Sequence, residues 1–387
     1  MNAAGVHVAT FLLLARECGV DVDEATLHES LRHFYKYAGK GSLPYGDHFP
    51  ETWFIDNGKT SALATPMGEE ASFTRAGEIS VYAGARDVSA MRGFYSTCTM
   101  LTGHTGGGIG DAWRGPAMGL LYEKEPELYR SFMDGRQWHL ELSRRFNGSF
   151  AMLQEPGATR YGDPDTWGMM MGMQYTVPRK TLRITGAPPG KWAKPYQLPV
   201  RPWGTAEDDD FCSTKPAAYA DGTVPEFPQT LREGMINGAH AIIKAETEKG
   251  NRDGILWKYA HHPEHEMRRE ICGFWGTAQP ANQILRLLND DDARVRRTGL
   301  TAIYHTHKGN RTMPPEHLTE AMIDRVIEMV NDPKESWWVV ENALRAMSLF
   351  PVEKTAPHVE RLLYWLQHDE WWLRHSAVIA LAPLAAD

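Results

Sequence analysis

ILRLLNDDDARVRRTGLTAI (residues 284–303), VIEMVNDPKESWWVVENALRAM (326–347) and LLYWLQHDEWWLRHSAVIALAPLA (362–385) share one layout. Each runs an apolar helix end into a short acidic turn and then into a second apolar helix. The turn residues Asp290, Asp332 and Asp369 recur at intervals of 42 and 37 residues. That spacing is close to the HEAT period of about 40 to 47 residues. The turn aspartates are expected to accept N–H groups at the start of the following helix. Val295, Leu300, Val339, Leu344, Leu373 and Val378 are expected to bury between layers. The expected fold is all-α, with residues 236–387 as a HEAT-like α-solenoid.

Upstream, Val6, Val8, Phe11, Leu12, Leu13 and Leu14 predict a mostly buried helix from residue 3 to a stop at Gly19. Asp23 or Thr26 can cap a second helix carrying Leu27, Leu31, Phe34 and Tyr35. Further helical stretches at 85–102, 111–123 and 126–146 give about three hairpins by residue 178, the first of three expected domains (1–178, 179–235, 236–387). Between Pro178 and Pro228 stand nine prolines, at 178, 188, 189, 195, 199, 202, 216, 225 and 228. That is too many for a helix or a central strand, so 179–235 is expected to wrap over the helices, with one short strand at Leu182 and Ile184.

Composition narrows the function. With 41 basic against 49 acidic residues among 387, the formal charge is −8, and no basic run supplies a nucleic-acid surface. No run approaches the roughly 18 apolar residues of a membrane span, so neither nucleic acid nor membrane is an expected partner. Cys18, Cys98, Cys212 and Cys272 form no CxxC or CxxH pair and read as small buried hydrophobes. The N-terminus lacks a basic leader region, so export to a periplasm or medium would require a signal already removed.

Three N-terminal loops concentrate polar chemistry. His48, Asp56, Asn57 and Lys59 precede a helix, where Asp56 or Asn57 also suits a plain cap. GHTGGGIG places five glycines in eight residues around His104, followed by Asp111, Trp113 and Arg114. It lacks the GK[ST] of a phosphate loop and the strand of a dinucleotide fingerprint, so no cofactor is expected. Trp113 and Arg114 suit a sugar ring and an anionic group, or simple packing. Glu155, Tyr161 and Asp163 supply acid/base candidates, with turn capping as the alternative for Asp163. His261 and His265 lie four apart, but Pro263 keeps His261 off the following helix, which argues against a metal site.

GDHFPETWFIDNGKTSALA (46–64), GHTGGGIGDAWRGPAMGLL (103–121), RRFNGSFAMLQEPG (144–157) and WGMMMGMQYTVPRKTLRITG (167–186) occur in an order that resembles an uncharacterised bacterial family of unknown function. The resemblance implies an α/α toroid followed by helical repeats. Similar toroids carry glycoside hydrolases, polysaccharide lyases and terpenoid cyclases, though fold analogy is a weak guide to function. Asp208-Asp209-Asp210 lies in the proline-rich segment, away from where a cyclase would need it. A closed ring of six hairpins needs roughly 300 residues. The toroid is therefore expected to be partial: an open arc, part of a longer protein, or half of a homo-oligomer.

The functional expectation is a carbohydrate-active protein that binds an oligosaccharide or polysaccharide. In the lyase form, Arg114 and Asn57 neutralise a uronate while His104 or Tyr161 abstracts a proton. His48, Lys59, Trp113, Glu155 and Asp163 complete the substrate contacts. In the hydrolase form, two of Asp56, Asp111, Glu155 and Asp163 form a carboxylate pair. The third alternative is a non-catalytic scaffold that binds a protein through Trp337, Trp338, Trp371 and Trp372 on the HEAT-like face.

Overall fold

The computed structural model describes residues 2–40, 43, 59–73, 80–95, 109–151, 172–194, 198–227, 234–275, 280–305 and 311–385. The protein is all-α; its strands β1 (Tyr304–His305) and β2 (Arg311–Thr312) make one two-residue antiparallel pairing. Among the described residues no helix is long and apolar enough to cross a membrane. The chain divides into two compact units. The first comprises Met1–Trp203, Cys212–Thr214 and Phe227–Ala245; the second comprises Gly204–Phe211, Lys215–Glu226 and Glu246–Asp387.

In the first unit α1 (Asn2–Glu17) packs on α2 (Glu24–Lys40), α3 (Lys59–Ala62) and α4 (Ala64–Ala71). Gly19, at φ +82°, stops α1, and Asp23 Oδ2 accepts the Thr26 N–H at 2.8 Å to open α2. Only one face of α1 is buried: Val6 and Leu13 are enclosed, while Val8 and Phe11 are exposed. α5 (Val81–Tyr95) packs on α2, α3 and α4, then on α6 (Ile109–Leu120), which meets α7 (Pro126–Ser143). Met91, Phe94, Met118, Leu121, Leu128, Phe132 and Val177 form a common core there.

The Leu182–Ile184 strand expectation is corrected. Arg183–Thr185 is a single 3-10 turn closed by Gly186 at φ +91°, because two alternating apolar residues find no partner strand and the glycine reverses the chain. The preceding 3-10 stretch, Gln174–Arg179, lies against α6. Gly119 makes this possible, since a Cβ there would stand 1.7 Å from Val177 Cγ1.

The second unit stacks pairs of helices: α9 (Arg252–Ala260) with α10 (His265–Trp275), α11 (Ala281–Leu288) with α12 (Ala293–Ile303), α13 (Glu320–Asn331) with α14 (Trp337–Met347), and α16 (Val359–Leu366) with α17 (Trp371–Leu381). α8 (Gly234–Thr247) precedes them, and the short α15 (Val352–Thr355) leads into α16. The second members α10, α12, α14 and α17 pack successively on one another. Val295, Leu300, Val339, Leu344 and Leu373 are buried as expected, whereas Val378 is half exposed on the outer side of α17.

The capping expectation is shifted along the chain. The N-cap side chains are Asp292, Ser336 and Glu370, while Asp290 and Asp332 instead accept the N–H two residues on and shape the turn. The α14 cap is reinforced from a distance. Buried Asp208 accepts from Ser336 Oγ at 2.6 Å, Trp337 N at 3.0 Å, Trp338 N at 3.3 Å and Thr205 N at 2.7 Å. Trp338 and Trp372 are buried and packed 5.3 Å apart, so half of the expected tryptophan face fills the interior. Trp371 remains 39% exposed, and Trp337 meets His368 edge-on at 4.6 Å. Of the described cysteines, Cys212 and Cys272 are buried, and Cys272 Sγ donates to Thr298 O, but Cys18 is exposed, contrary to expectation.

Candidate functional site

The second unit contains an open cleft of about 1310 Å³ whose floor is the turn between α11 and α12. α9 cannot continue into the Pro-containing HHPEHE stretch, so it ends at His261, which is fully enclosed. His261 Nδ1 faces Trp257 O at 3.0 Å and Nε2 faces Asp290 Oδ2 at 3.2 Å, so both ring nitrogens meet oxygen acceptors. This pair fixes the α11–α12 turn against α9. Asp290 Oδ1 accepts the Asp292 N–H at 2.9 Å, and Asp292 in turn holds Arg294 through its backbone and guanidinium, the latter at 2.7 Å.

The facing wall comes from 215–226. Arg294 Nη1 donates to Lys215 O at 2.8 Å, and Ala217 N donates to His261 O at 2.9 Å. A tight turn follows, in which Asp221 Oδ1 accepts from Thr223 N and Oγ1 at 2.9 and 2.7 Å around Gly222 at φ +82°. Tyr219 packs edge-on to His261 at 4.8 Å. Across the cleft, the Arg286 guanidinium lies 4.0 Å from the centroid of Trp257.

Five aspartates, 210, 221, 290, 291 and 292, line this space against one arginine, Arg286. Burial pushes the Asp210 carboxyl up to about 6, and the nearby Asp292 and Glu207 charges add to this against Arg294 and Arg296. Asp292 moves the other way: burial opposes its charge, but the bonds and charge of Arg294 hold it below the usual range. Asp221 is likewise held low by its bonds from Thr223. Among the described residues no group of three or more His, Cys, Asp or Glu side chains is placed to hold a metal ion. The cleft is larger than the roughly 300–1,000 Å³ of a small-molecule pocket and suits a segment of a polymer. Its charge repels a polyanion and attracts a cation.

Of the residues expected from sequence, His48, Asp56, Asn57, His104, Glu155, Tyr161 and Asp163 lie outside the described residues. Lys59 opens α3 and Asp111 lies in the first turn of α6, where only their backbone is described. Trp113 stacks on His7 at 4.6 Å, and Arg114 beside it is fully enclosed. Arg114 thus lies within the packing of the first unit, whereas Trp113 is only partly buried. Asp210, Tyr219, Trp257 and Arg286 were not singled out by sequence as site residues. The two triple-aspartate runs, 208–210 and 290–292, are the signal that bears on the cleft.

No curated protein matches the chain. Residues 1–186 match the model of a family described as a domain of unknown function, DUF6288.

Proposed function

We propose that the protein is a binding module whose second unit receives a basic, extended polypeptide segment in the acidic cleft. The observation that carries this reading is the convergence of five aspartates on one open cavity with aromatic walls. Lysine and arginine side chains would find carboxylates on several sides. Tyr219 offers a ring on which a guanidinium can stack, as Arg286 already does on Trp257. Asn282 and Asn289 supply amides on the same α11 side, suited to the backbone of an extended chain. The successive helix pairs provide a rigid frame for such a site.

The test is titration of a fluorescent Lys/Arg-rich peptide against the purified protein over a range of salt, beside an acidic peptide of equal length. Binding of the basic peptide alone, weakening steeply with salt, is expected. Replacing Asp210, Asp221 and Asp291 together by Asn is expected to weaken it by about tenfold, at a few tenths to 1 kcal/mol per exposed charge. An unchanged affinity in that variant, or none at low salt, overturns the reading. The carbohydrate-active reading is a separate proposal about the toroid expected over residues 1–178, resting on His104, Tyr161, Asp56 and Asp111. A panel of neutral and uronate polysaccharides, followed by ultraviolet absorbance and reducing ends together, tests it.

A further inference from the structure

Arg144 and Phe150 form an antiparallel bridge after α7, and the chain between them makes a small projecting hairpin. Arg145 N donates to Ser149 O at 2.8 Å, and Ala151 N donates to Ser143 O at 2.7 Å. At its tip stand Asn147 and Gly148. Residues 144–149 are exposed, and Phe146 is fully so. Gly148 is at φ +83° with nothing within 4 Å of where a Cβ would be, so the hairpin tip beside Asn147 is open. The Asn147 side-chain carbonyl is gripped from both sides: Oδ1 accepts the Ser149 N–H at 3.0 Å and the Ser149 hydroxyl at 2.8 Å.

That arrangement has a chemical consequence independent of the binding reading. Two donors on an amide oxygen draw charge from its carbon and stabilise the oxyanion formed when a nucleophile adds there. The adjacent nucleophile is the Gly148 backbone nitrogen. We propose that Asn147 is a self-modification site, converting by way of a cyclic imide with Gly148 to aspartate or isoaspartate. Gly148 N releases its bond to Arg145 O, 2.9 Å in the resting hairpin, and loses its proton to hydroxide. The Gly148 N–Asn147 Cγ bond forms, the Cγ–Nδ2 bond breaks, and the nitrogen leaves as ammonia. Water then opens the imide at one of its two carbonyls. The sole co-reactant is water, and no redox change occurs. Opening to aspartate keeps the turn and adds a negative charge; opening to isoaspartate routes the main chain through the side-chain carbon and breaks the register between Arg145 and Ser149.

The molecule contains its own control. Of the sequence's two other Asn-Gly pairs, Asn57-Gly58 and Asn237-Gly238, the latter is set inside α8 (Gly234–Thr247), where the helical backbone disfavours closing the imide ring. The experiment is to hold the folded protein at mildly alkaline pH and follow both peptides by mass spectrometry with isoaspartate detection. Asn147 is expected to convert several-fold faster than Asn237 in the folded protein and at a comparable rate in denaturant. Ser149→Ala is expected to slow Asn147 several-fold without changing thermal unfolding, and Ser149→Thr, which retains the hydroxyl, to restore it. Equal rates at the two sites in the folded protein, or a Ser149→Ala protein that reacts as fast as the parent, overturns the proposal.

Discussion

Arg183 Nε donates to Glu17 Oε2 at 2.9 Å, joining the TLRITG stretch to the end of α1, and the same guanidinium pairs with Glu69 of α4. Two carboxylates thus face one cation in a nearly closed site. Burial pushes Glu69 up to about 7 from 4.5, with the Glu17 charge adding to the rise and Arg183 opposing it. Because the folded value lies above the unfolded one, this group's contribution is fully present below pH 4.5 and is lost as pH rises through 7. The first unit is therefore expected to lose stability, on the order of 3 kcal/mol from this group, between those limits. Calorimetric melting across that range measures it, and Glu69→Gln is expected to flatten the slope. A parent profile as flat as the variant's excludes the assignment.

Asp210 is expected to give the cleft a pH response. With its carboxyl pushed up to about 6, it is neutral in mild acid and charged above neutrality. Affinity for a basic peptide is expected to rise as pH increases through 6, a range in which an unperturbed aspartate is already ionised. Titrations on either side of that value check this, and Asp210→Asn should remove the step while leaving weaker, pH-independent binding.

Gly119 is where the 3-10 stretch Gln174–Arg179 lies closest to α6. Adding a methyl group would force Val177 away from the core it completes with Phe94, Met118 and Phe132. Gly119→Ala gains helix propensity of about 1 kcal/mol but overpacks the contact by about 1–3 kcal/mol or more. A net fall in stability under chemical denaturation is expected. Gly119→Ala with Val177→Ala should recover part of it, and absence of recovery would falsify the contact.

Asp208 reaches helix α14 from a segment nearly 130 residues away in sequence. Its removal leaves Ser336 Oγ and the Trp337 N–H without this acceptor. Asp208→Ala is expected to lower second-unit stability by at least about 2 kcal/mol. The loss should appear as early hydrogen exchange at Trp337 and Trp338, while Asp209→Ala serves as the nearby comparison.

Local signals in the sequence translated well. Gly19 and Asp23 marked real helix ends, and the acidic turns between apolar helix ends marked real helix pairs. Where two local meanings competed, pattern was insufficient: Leu182 and Ile184 alternate like a strand, yet Gly186 folds them into a turn. The cleft was harder to read. Asp290–Asp292 explain themselves as turn and cap residues, and their place in the cleft depends on Asp210 and Asp221 arriving from about 70 to 80 residues upstream. No periodicity encodes that meeting. Trp113 and Arg114, adjacent in sequence, suit a ligand pair; neighbouring positions on a helix point about 100° apart, and here Arg114 is enclosed while the partly buried Trp113 stacks on His7.

The two units alternate along the chain between residues 203 and 246. No single cut therefore yields two self-sufficient pieces. A fragment beginning at Glu246 would lack Asp208 beneath α14 and the Tyr219 wall of the cleft, and one ending at Trp203 would lack Cys212 and the start of α8. Gene fusion or exchange at this junction is expected to leave both units complete only if it carries the whole interleaved stretch.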